Sequence, residues 1–72
     1  MKEFSFNTEK EVGIFTEMCT RVCGVKRLKV EPLISGVIKV VVHDPLSRNT
    51  LDHLEFERAS IITTGKLSKS YK

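Results

Sequence analysis

Apolar and polar positions alternate at the start of this chain. Phe4 and Phe6 interleave with Glu3 and Ser5, a period of two that predicts a strand over 2–6. At Thr8 the period changes. Thr8 with Glu11 three residues on forms a capping box, in which each side chain satisfies a free backbone N–H of the other. An apolar stripe of Phe15, Met18, Cys19 and Val22 follows, with Val12 and Ile14 at its margins. It predicts a helix over about 9–23. Glu17 precedes Arg21 by four residues, the better orientation for a helical ion pair. Gly24 suits the left-handed residue beyond a helix end, and Val25 can pack back on the last turn.

Alternation resumes at 26–31, with Leu28 and Val30 on one face and Arg27, Lys29 and Glu31 on the other. Pro32 and Ser35-Gly36 mark a connection. The next strand, 37–43, is the most apolar. Ile38, Val40 and Val42 face one way; Val37, Lys39 and Val41 face the other. Asp44-Pro45 ends it, and 47–50 reads as a loop. In 51–64, Leu51, Leu54 and Arg58 make a poor helical stripe. Leu54, Phe56 and Ile61-Ile62-Thr63-Thr64 favour a long strand instead, with a bulge near 58–60.

These elements predict a single small α+β domain over 1–65, in the order β-α-β-β-β. One helix packs on one face of a mostly antiparallel four-stranded sheet, with a right-handed first crossover. Residues 66–72 form a basic C-terminal tail. One helix leaves a sheet face uncovered. That makes Val37, Lys39 and Val41 the candidate docking face for a second copy or another protein.

The chain has 72 residues, enough for one domain with a thin core. No apolar run approaches the roughly 20 residues that span a bilayer, and the first residues carry no secretory signal pattern. Two cysteines, Cys19 and Cys23, are too few for the usual disulfide framework. A cytoplasmic protein with free thiols is the expectation. The net charge of +3 is unevenly spread. Basic residues dominate 18–43 and 58–72, and acidic ones dominate 1–17 and 44–57.

The chemistry-bearing patterns are sparse. Cys19, Cys23, His43 and His53 lack the tight turn spacing of a small zinc domain. Asp44 beside His43 and Asp52 beside His53 could orient imidazoles. Strand neighbours point to opposite faces, however, and no nucleophile motif accompanies them. The four glycines fit no phosphate-binding loop. No catalytic residue, cofactor, metal site or small-molecule substrate is expected. The first functional reading is a non-enzymatic protein–protein interaction module, regulatory or inhibitory, that self-associates as a homodimer or docks a partner. The alternative is a DNA- or RNA-binding protein. It would contact phosphates through Arg21, Lys26, Arg27 and Lys29, with Lys66, Lys69 and Lys72 as a tethering arm. It would do so without the sheet-surface aromatics that stack bases.

Overall fold

The computed structural model describes residues 1–68. Its elements are β1 (Lys2–Phe6), α1 (Glu9–Arg21), β2 (Leu28–Pro32), β3 (Ile38–Val42) and α2 (Arg48–Thr64). The sheet has three strands in the order β1-β3-β2, and both pairings are antiparallel. β1 and β2 therefore point the same way without touching, because β3 inserts between them.

This overturns the four-stranded, one-helix architecture. Segment 48–64 is a helix, not a strand. Ser47 caps it, its hydroxyl accepting from the Thr50 N–H at 3.2 Å, and Gly65 ends it in the left-handed region at φ 79°. Its inner stripe runs Leu51, Leu54, Glu57 and Ile61. The middle of that stripe is a carboxylate, which is why the periodicity looks poor in the sequence. Glu57 is fully buried. Ser68 satisfies it through its backbone N–H and its hydroxyl, both at 2.8 Å. Residues 66–68 are thus held against α2, and the Lys66 carbonyl accepts from Ser60 and Thr64. A buried carboxylate without such donors would cost several kcal/mol, on the order expected for an unpaired ion.

Helix α1 follows the sequence pattern. The Thr8–Glu11 capping box forms, and Arg21 pairs with Glu17 at 3.3 Å. The buried stripe is Val12, Phe15, Met18 and Cys19; Val22, at the helix end, is exposed. The Val25 N–H bonds back to the Cys19 carbonyl at 3.0 Å, and Val25 itself is buried.

One sheet face carries Phe4, Phe6, Val40 and Val42, which join Phe15, Leu54 and Ile61 in the core. Phe15 sits against Phe4 and Phe6 with ring centroids 4.9 Å apart in both pairs. Truncating such a ring to alanine costs roughly 3–5 kcal/mol, a large share of a small domain's stability. Both helices contribute buried residues to this face. Among the described residues no helix is long and apolar enough to cross a membrane.

Candidate interaction edge

Strand β3 is central, so β1 and β2 are both edges. Which backbone groups each edge presents follows from two hydrogen bonds outside the strands. The His43 N–H donates to the Arg27 carbonyl at 2.7 Å, and the Leu33 N–H to the Val37 carbonyl at 2.8 Å. Both pairs continue the β2–β3 register. Antiparallel residues alternate between bonded and non-bonded pairs, so Arg27, Lys29, Glu31 and Leu33 bond inward to β3. Leu28, Val30 and Pro32 then turn their backbone outward.

The same alternation makes Ile38, Val40 and Val42 the β3 residues that bond to β1. Their partners are Phe6, Phe4 and Lys2, and Glu3 and Ser5 point outward. The Ser5 carbonyl is already taken. Arg58 donates to it from Nε at 3.1 Å and from Nη2 at 2.9 Å, with its guanidinium 6.0 Å from the Phe6 ring centroid. Lys2 adds a 3.0 Å ion pair to Glu55. Helix α2 thus crosses the β1 edge and occupies one of the four outward backbone groups of Glu3 and Ser5.

No such contact reaches β2 from the described residues. Among the described residues no hydrogen bond reaches the outward N–H and C=O groups of Leu28 and Val30. Two features bound this free stretch. Pro32, at an outward position, has no N–H to offer. At the other end the Asp44 carboxylate captures the Lys26 N–H at 3.0 Å and the Arg27 N–H at 2.6 Å. Those two bonds hold the Asp44 carboxyl below its ordinary value. Val30 is 43% exposed although it faces the core side, since α1 packs on β3 and β1 rather than on β2. The hairpin beyond β2 adds Leu33 and a fully exposed Ile34. Its turn closes with Gly36 at φ 92°, donating to the Leu33 carbonyl at 3.0 Å.

The residues expected to form the docking face lie on the opposite side of the sheet. Val41 is only 4% exposed. Its cross-strand neighbours are Glu3 and Lys29, and Lys39 pairs with Glu3 at 3.4 Å. Val37 is half-buried. That face presents charge rather than apolar surface.

Of the basic candidates, Lys26, Arg27 and Lys29 fall together along β2 and its entry, with exposed side chains. Lys29 pairs with Glu31 at 3.4 Å and Arg21 with Glu17. Lys66 follows α2 and is exposed. Lys69 and Lys72 lie outside the described residues.

The histidine and cysteine candidates do not converge. Among the described residues no three His, Cys, Asp or Glu side chains are placed to share a metal ion. Cys19 is in the core, where burial, with the Cys23 charge adding, pushes its thiol up to about 12. Asp44 spends both oxygens on backbone N–H groups rather than on His43. An open cleft of about 340 Å³ is lined by Lys2, Glu3, Phe4, Ser5, Glu55 and Arg58. Its charged groups are already engaged in the contacts described above.

The outward backbone of Leu28 and Val30, Pro32 beside it, and the Arg58 lock were not legible in the sequence. Each depends on register, which a single sequence does not give. Comparison with family models, with curated proteins and with solved structures finds no match for this chain.

Proposed function

We propose that this protein is a small non-enzymatic interaction module that docks partners along the outer edge of β2. One observation carries the reading: the two sheet edges are treated differently. On the β1 edge Arg58 occupies the Ser5 carbonyl, and α2 lies alongside through the Lys2–Glu55 pair. The β2 edge keeps four backbone groups on Leu28 and Val30 that no described residue pairs, beside exposed Val30, Leu33 and Ile34. An open edge of this kind is a template for a further strand. Main-chain bonds supply affinity there, and flanking side chains supply selectivity.

Site-directed photo-crosslinking tests this. With the photoreactive residue at Ile34, a protein adduct is expected in cells. It is lost when Val30→Pro removes an outward N–H, and retained with the photoreactive residue when Val37→Ala alters the other face. An adduct indifferent to Val30→Pro overturns the assignment. So does an adduct to DNA or RNA, which would favour phosphate contact by Lys26, Arg27 and Lys29.

A further inference from the structure

We infer that the strand received by the β2 edge is β2 of a second copy, paired antiparallel about a twofold axis through Lys29. The inference rests on the proposed edge-docking function.

Symmetric pairing of two β2 edges permits few registers. Outward residues must face outward residues, so Leu28, Val30 and Pro32 pair only among themselves. Placing Val30 opposite Val30 of the partner copy drives the Pro32 ring into the Leu28 carbonyl opposite. Placing Leu28 opposite its own copy sets Arg27 against Lys29 twice, and like charges directly opposite repel. The register between these puts Leu28 opposite Val30 of the second copy. It uses all four free groups twice over, in four main-chain hydrogen bonds, and sets Pro32 opposite Lys26 of the second copy, which lies before β2 begins.

Charge supports the same register. On the open face, residues whose numbers sum to 58 become neighbours. Arg27 of one copy faces Glu31 of the other, and the reverse pair forms by symmetry. Lys29 faces its own copy at the axis, the one unfavourable contact, flanked on each side by an Arg–Glu pair. Leu28 and Val30 meet across the junction on the core side, where Val30 is exposed in the single chain. The result is a continuous six-stranded sheet. Its outer edges are the two β1 strands, on each of which Arg58 occupies the Ser5 carbonyl; that contact disfavours addition of a further strand, and assembly stops at the dimer.

Sedimentation equilibrium of purified protein at concentrations up to about 1 mM reads this directly. Arg27→Glu and Glu31→Arg should each weaken the dimer at least about tenfold, through like-charge pairs across the axis. The double variant should restore it to within about threefold of the wild type. Arg27 and Glu31 of one chain are roughly 13 Å apart along the strand, too far for strong pairing within the chain. Restoration therefore reports contact between copies. Lys29→Gln should tighten the dimer. Circular dichroism confirms that each variant is folded. A wild type that stays monomeric throughout overturns the inference. So does a double variant no better than the singles. A monomer that still gives the Ile34 adduct lost on Val30→Pro would sink the second copy and leave the edge-docking function standing.

Discussion

Arg58 and Ser5 are 53 positions apart in sequence, yet the Arg58 guanidinium makes two hydrogen bonds to the Ser5 carbonyl. The contact ties α2 to an edge strand and occupies an outward acceptor of that strand. Arg58→Ala should cost about 1 kcal/mol in urea unfolding, the scale of a partly exposed hydrogen-bonded group. It should also free the β1 edge. With both edges open, copies can alternate β2–β2 and β1–β1 contacts without closing. Light scattering should show growth beyond the dimer as concentration rises, where the wild type stops. A variant whose scattering matched the wild type would show that Arg58 does not guard the edge.

Asp44 holds the entry to β2 through the Lys26 and Arg27 N–H groups. Those bonds, in that order, lower its carboxyl from the ordinary 3.8. A group with a depressed folded value favours the folded state above its unfolded value, and the gain fades as pH falls through the folded one. Asp44→Ala should therefore be less stable than the wild type at neutral pH. The gap should close as pH drops below 3.8. Chemical unfolding across the acid range checks this; a gap independent of pH would contradict it.

Gly13 lies on the exposed side of α1, and a Cβ there would meet nothing within 4 Å. No close approach requires the glycine. Gly13→Ala should stabilise the fold by about 0.4–1 kcal/mol. For a domain this size that raises Tm by a few degrees in calorimetry, roughly 2–8 °C.

Burial raises both thiols, with the neighbouring Cys23 charge adding at Cys19 and the Glu57 charge adding at Cys23. Cys19 is fully buried and Cys23 half-buried. A thiol reagent at about pH 8 should label Cys23 slowly and Cys19 only on unfolding, since the thiolate is the reactive form. Peptide mass spectrometry distinguishes the two; rapid native labelling of Cys19 would contradict the packing.

The first half of the fold is readable because local chemistry and burial agree there. The Thr8–Glu11 box, the Glu17–Arg21 pair and the Phe4/Phe6 alternation each act over a few residues. Helix α2 hides for the opposite reason. Glu57 and Arg58 stand where apolar residues would announce the stripe, because they serve Ser68 and Ser5 rather than solvent. Ile61-Ile62-Thr63-Thr64 meanwhile carries β-branched side chains that favour strands in isolation. The cap at Ser47 and the stop at Gly65 were the available helical signals. In the sequence Phe56 completes a strand alternation with Leu54, but it projects from the helix and is 64% exposed. Val37 and Val41 put two valines on the open sheet face. The strands beside it bring Glu3 and Lys29 into register with Val41, and only pairing reveals that.

In the proposed assembly, copies associate through the β2 edge and not through β1. Amide hydrogen exchange resolved by residue, measured over a range of protein concentrations, tests it most directly. The Leu28 and Val30 amides are expected to gain protection as concentration rises, while those of Glu3 and Ser5 do not change. Protection at Leu28 and Val30 that is independent of concentration, or gains at Glu3 and Ser5 instead, would contradict it.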